Sequence, residues 1–296
     1  MKARLTASGC ACLWPVLCLL LLHAVSNLVQ AEEFGISTYT VTPQNTVTIT
    51  KASNPTGAIV LPSSINGMPV TAIGIGAFPG SFNLTNLTLP DSITSIGYVA
   101  FSGCGSLTSV TLLGSITSLT SIGHSTFKGC NRLTSLNLPA SLTSIGISTF
   151  ENCTSLNSLT LPDSLTSIGN FTFSGCNALT SPNLPASLTV IGNYTFAYCT
   201  GLTSLILPSS LTSIGSGTFF KCSGLTGLTL PASLTSIGND AFHSCSSLAR
   251  ITFLGTAPSG NYLISPDYPL PPGYTTYWLS SKTGFTSPTG RVTLPS

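Results

Sequence analysis

Charge is what this sequence has least of. Asp, Glu, Lys and Arg together make up 5% of its 296 residues, against about a quarter in an ordinary soluble domain. Without a basic field there is nothing to neutralise a phosphate backbone, so nucleic acid is excluded as a partner. Histidine is nearly absent as well, with 3 in the chain. Two of these lie outside the first 31 residues, His124 and His243, at unlike places far apart, so no shared metal or base is expected. Both read as solvated variable positions. Asp91 and Asp163 follow the same Leu-Pro pair three repeats apart, about 15 Å at a strand spacing near 4.8 Å. That is too far for a pair of hydrolytic carboxylates. There is no Gly-x-Ser-x-Gly elbow, phosphate loop or dinucleotide fingerprint. No acid–base or nucleophilic constellation is present, no cofactor is implied, and an enzyme is not expected.

Long apolar runs are also missing, with one exception. Lys2 and Arg4 precede the apolar stretch 12–25, and Val29-Gln30-Ala31 supplies small residues for cleavage. Residues 1–31 read as a signal peptide, which predicts a secreted or cell-surface protein with no membrane span after cleavage. Its removal leaves seven basic and seven acidic side chains.

What the chain does have is repetition. "LPASLTSIG" stands at 138–146 and again at 230–238. Cys104, Cys130, Cys153, Cys176, Cys199, Cys222 and Cys245 follow one another at 26 and then at 23 residues, five times. A disulfide framework has irregular spacing and an even count, and a zinc site has close pairs. These cysteines are one letter of a repeat, L-T-S-L-x-L-P-x-S-L-T-S-I-G-x-x-T-F-x-x-C-x-x. Such a short period predicts a solenoid whose units bury their apolar faces only against one another.

Within the unit, L-x-x-L-x-L alternates like a strand with one buried face, and Pro ends it. S-L-T-S-I-G returns across the other side, with Gly expected to permit the turn. T-F-x-x-C is expected to form a short 3₁₀ or helical corner with Phe and Cys inward. Stacking then makes columns: a spine of Phe78, Phe101, Phe127, Phe150, Phe173, Phe196, Phe219 and Phe242, and a parallel column of small, apolar, unbridged thiols. Pro182 replaces the central strand Leu and should perturb its rung. A three-residue insertion near 114–119 should bulge outward.

The pattern resembles the BspA-type subclass of leucine-rich repeats, carried by "LTSL-LP", "LTSIG" and "TFxxC" over residues 56–254. The resemblance implies a mostly β, right-handed leucine-rich-repeat solenoid with a concave strand sheet. It also implies an extracellular binding or adhesion role without catalysis. Around it, 32–55 reads as an N-terminal hairpin cap, 56–254 as about eight repeats, and 255–296, rich in Pro and Tyr, as a C-terminal cap.

The outward letters of the strands are the candidate binding face: Asn86, Thr88, Ser109, Thr111, Ser135, Asn137, Ser158, Thr160, Ser181, Asn183, Ser204, Ile206, Thr229, Arg250 and Thr252. This uncharged array suits a protein or glycan ligand with little electrostatic steering. Two other roles fit it: a passive or self-associating surface protein, or ranked Thr for ice binding. Asn83, Asn86, Asn152, Asn170 and Asn193 each begin an Asn-x-Ser/Thr pattern.

Overall fold

A computed structural model describes residues 36–112, 118–255 and the backbone of 275–278. Residues 1–31, expected to be a signal peptide, most of the insertion and most of the C-terminal stretch lie outside these residues. The described chain is a β-solenoid whose coils are joined along three hydrogen-bonded seams.

The first seam is the Leu-x-Leu ladder. Strands Gly57–Val60, Leu84–Leu89, Ser109–Leu112, Ser135–Asn137 and Ser158–Thr160 form a five-stranded parallel sheet. The sheet stops at the next coil, where only an isolated bridge joins Thr160 to Asn183. Pro182 causes this, since it brings no N–H to the ladder. The ladder resumes with a bridge from Ile206 to Thr229 and a second sheet of Gly227–Leu230, Arg250–Phe253 and Thr275–Trp278.

The second seam is the return segment, which forms one continuous sheet where the first seam is split in two. Val47–Ala52 pairs in parallel with Met68–Ile73, which leads to seven two-residue pairs from Ser95–Ile96 to Ser236–Ile237. Each pair buries its Ile and exposes or half-buries its other residue. At the N-terminal end Ile36–Val41 runs antiparallel to Val47–Ala52, and Val47 and Ile49 are fully buried.

The third seam is the corner, and here the expectation of 3₁₀ or helical corners fails. Among the described residues there is no helical segment. Two residues per corner take left-handed φ, for example Ser148 (56°) and Asn152 (59°), which ends any helix after a single turn. Three amides per corner also donate to the next coil. Ser148, Phe150 and Asn152 bond the carbonyls of Asn170, Thr172 and Ser174 at 2.7–2.9 Å. Those donors are unavailable to a helix.

The role expected for the glycine of Ser-Ile-Gly also needs correcting. Its φ is not left-handed; the space is what it needs. A Cβ on Gly146 would lie 2.7 Å from the backbone of Gly123 and His124, and one on Gly97, Gly123, Gly192, Gly215 or Gly238 meets equally close atoms of the coil before. The glycines let successive coils touch backbone to backbone.

The core fills the space between the seams. The phenylalanine spine forms, with ring centroids 5.0–5.9 Å apart along the column. Fully burying each ring contributes about 1.5–3 kcal/mol, and each near-parallel contact about 0.5–1.5 kcal/mol more. The hydroxyls stitch the seams together. Ser141, Ser164, Ser187, Ser210 and Ser233 each donate to a leucine carbonyl of the preceding coil at 2.6–2.8 Å. Thr126, Thr149, Thr172, Thr195 and Thr218 are fully buried, each bonding a glycine carbonyl of its own coil and one of the coil before.

Candidate functional site: the strand face and its neighbours

The alternation Leu-x-Leu puts every second side chain outward. All fifteen candidate residues are exposed or half-buried, and they fall into two columns. One column runs Asn86, Ser109, Ser135, Ser158, with Ser181 and Ser204 at the same letter and Arg250 at its far end. The other runs Thr88, Thr111, then Asn137, Thr160, Asn183, then Ile206, Thr229, Thr252. The face is not uniform along its length. At the N-terminal end its polar groups satisfy one another, with Asn86 Nδ2 donating to Ser109 Oγ at 2.7 Å. Past Pro182 the character changes.

There a depression of about 570 Å³ opens, lined by Ser204, Ile206, Gly227, Thr229, Arg250 and Leu254 among others. Gly227 sits where the coils on either side carry Ser204 and Arg250, and a Cβ on it would meet nothing nearer than 3.5 Å. The missing side chain therefore makes the hollow. Sequence reasoning passed over Gly227, although a glycine inside a run of serines at one repeat letter was the available signal. Ile206 stands 84% exposed in the hollow, the most exposed large apolar side chain described. The structure thus gathers Ser204, Ile206, Thr229 and Arg250 into one concavity and leaves the other eleven candidates on the open face.

The other candidates for chemistry behave as structure. All seven cysteines are buried and unbridged. Each thiol donates to the carbonyl of the spine phenylalanine of the preceding coil, at 2.9–3.3 Å. Burial pushes Cys153, Cys199 and Cys245 up to about 12. A thiol held protonated is a poor nucleophile and a poor metal ligand.

The histidines are less solvated than expected. His124 is half-buried, meets Tyr98 edge to face at 4.8 Å, and accepts from the Ile147 amide through Nδ1 at 3.1 Å. A smaller hollow of about 330 Å³ lies beside it, lined by Tyr98, His124 and Ile147 over the glycine column. His243 is half-buried and stacks on Phe220 at 5.1 Å. Among the described residues no group of three or more His, Cys, Asp or Glu is placed to hold a metal.

The structure also reveals a surface that the repeat consensus hides. The variable letters of the last four corners carry Phe171, Tyr194, Tyr198, Phe220, Lys221 and His243. Phe171 stacks on Tyr194 at 5.1 Å, and Phe220 meets Tyr194 at 6.2 Å and Tyr198 at 5.5 Å. Lys221 Nζ lies 5.2 Å from the Tyr198 centroid and 5.4 Å from that of Phe220.

Comparison with known proteins agrees with this geometry. The model for the BspA type leucine rich repeat region matches residues 58–121 and 120–249, in six copies. A leucine-rich repeat protein of T. pallidum is 29% identical, with a TM-score of 0.58 over 73% of this chain and 88% of its own. A leucine-rich repeat protein from Bacteroides ovatus is 25% identical, with a TM-score of 0.54 over 82% of this chain and 77% of its own. No curated protein matches the chain. Among the described residues no helix is long and apolar enough to cross a membrane. Repeat letters, coil geometry and family model coincide over most of the chain, which belongs to the BspA-type leucine-rich repeat family.

Proposed function

We propose that this solenoid is a non-catalytic scaffold, secreted or held at the cell surface, which binds a protein partner through its strand face. The observation that carries the reading is Ile206. Its letter holds Asn or Thr in neighbouring coils, yet here an isoleucine stands almost fully exposed in a hollow beside Arg250. An aliphatic anchor in a concavity, ringed by Ser and Thr with an Arg at its edge, has the layout of a protein-binding hot spot. Among the described residues no aromatic side chain lines this hollow, which favours protein over glycan there. The binding face as a whole, the extracellular location and the adhesion role belong to the same proposal.

The test is a protein array probed with the purified secreted chain. A ligand is expected whose affinity falls about tenfold or more with Ile206→Thr, as loss of a hot-spot contact should produce. Thr is the residue at this letter in the next coil, so the fold is kept. A chain that binds nothing above background, or binds equally well as Ile206→Thr and Arg250→Ala, overturns the reading.

Self-association has an observation of its own. Val60, Ile75 and Phe82, in the first coils, are 56%, 71% and 67% exposed. A dimer dissociated by Phe82→Ser in light scattering would support it, and a strict monomer at high concentration would end it. The ice-binding reading is weakened because Asn137, Asn183 and Ile206 break the threonine rank. No thermal hysteresis is expected.

A further inference from the structure

We propose that the aromatic ridge on the last four corners is a second binding site, for a linear glycan. Three observations meet there.

The first is placement against a cost. The two left-handed letters of each corner are filled elsewhere mostly by Gly, Ser, Asn or Asp, as at Gly76, Ser125, Ser148, Asn152, Gly175, Gly217 and Asp240. At Phe171, Tyr194 and Tyr198 the same letters hold large rings with φ of 56°, 54° and 61°. Left-handed φ on such residues costs about 1–2 kcal/mol each, and glycine would remove that cost. Burial is incomplete, with Phe171 38% exposed and Tyr198 46% exposed.

The second is a row of oriented amides along the ridge. Asn170 Oδ1 accepts the Asn193 amide at 2.8 Å, and Asn193 Oδ1 accepts the Ser216 amide at 2.8 Å. With each oxygen committed to the next coil, each Nδ2 remains a donor on the residue just before Phe171 or Tyr194, one coil apart. The tyrosine hydroxyls and the Lys221 ammonium, held over Tyr198 and Phe220, add further donors.

The third is shape. The rings form a strip one or two side chains wide that crosses four coils, about 15 Å at the strand spacing. A stable protein interface needs about 800 Å² on each partner around a broad apolar core. A strip this narrow lacks that area. It suits a chain that is itself narrow, with apolar C–H faces to lie on the rings and hydroxyls to accept from the amides.

The experiment uses the full secreted chain and three soluble probes, followed by calorimetry: hexasaccharides of β-1,4-linked glucose, of β-1,4-linked N-acetylglucosamine, and of hyaluronan. Binding of at least one is expected. Combining Phe171→Ser, Tyr194→Gly, Tyr198→Asn and Phe220→Ser puts in residues found at the same letters of other coils. Affinity should fall at least tenfold while the melting temperature holds or rises. Asn193→Asp keeps the Oδ1 acceptor and removes the donor, so it should weaken binding severalfold without a change in melting. Ile206→Thr should leave glycan binding intact, which separates this site from the strand face. Failure of all three probes, or wild-type affinity in the four-residue variant, overturns the proposal.

Discussion

At the scale of single residues, the most constrained atom in each coil is one that is absent. A Cβ on Gly146 falls 2.7 Å from two backbone atoms of the preceding coil, and neither can move aside as a side chain would. Gly146→Ala is expected to destabilise the chain by about 1–3 kcal/mol, as overpacking does, read as a lower denaturation midpoint. The cysteines make a prediction about pH. Six of the seven, all but Cys104, which its hydrogen bond with Cys130 lowers, have folded values above the ordinary 9.0, at about 12 for Cys153, Cys199 and Cys245. Between those limits the folded chain keeps protons that the unfolded chain has released, so stability falls as pH rises. Stability is therefore expected to be unaffected by these thiols below about pH 9 and to decline towards pH 12. Urea melts at pH 8 and pH 10.5 check this, and a Cys199→Ala chain should lose less over the interval.

At the scale of elements, much of the coil was legible and the reasons for the rest are specific. The alternation of Leu letters gave the ladder, and the Phe and Cys letters gave two core columns, because a repeated apolar residue has one reading: inward. The corner was misread because its composition is compatible with a helical turn. Only the carbonyls of the adjacent coil, which no single unit contains, draw off the amides. The same holds for the Ser and Thr of Ser-Leu-Thr-Ser-Ile-Gly. Their hydroxyls bond carbonyls of the preceding coil, partners that no single unit contains. The candidate face pointed outward as expected, but its hollow depends on Gly227, a residue named by what it lacks. Pro182 offers a test of the ladder argument. Leu occupies its letter in the coils on either side, so Pro182→Leu should fit, restore the missing N–H and join the two halves of the strand sheet. Higher stability and slower amide exchange at 180–184 are expected. Unchanged exchange there would mean that the interruption has another cause.

At the scale of the whole molecule, each coil touches only its neighbours, so stability should be close to a sum over coils and seams. Excising residues 187–209, one whole 23-residue period that brings Ser210 to the letter of Ser187, should leave a folded solenoid. It should show a lower denaturant slope and a modestly lower midpoint. Removing ten residues from the same place should abolish cooperative folding, because every column beyond the cut is thrown out of register. With charged residues only 5% of the chain and the Lys128–Glu151 pair, at 2.9 Å, partly exposed, moderate changes in ionic strength should matter little to either form.

The three seams also bear on how such a chain meets a protease. Cleavage requires a stretch of backbone to leave the fold and lie extended in an active site. An interior coil has its strand pair, its corner amides and its hydroxyls all bonded to the coils on both sides, so freeing one scissile bond means parting two neighbours together. Digestion is therefore set to begin at an end and to advance coil by coil, leaving trimmed solenoids of whole periods in place of internal nicks.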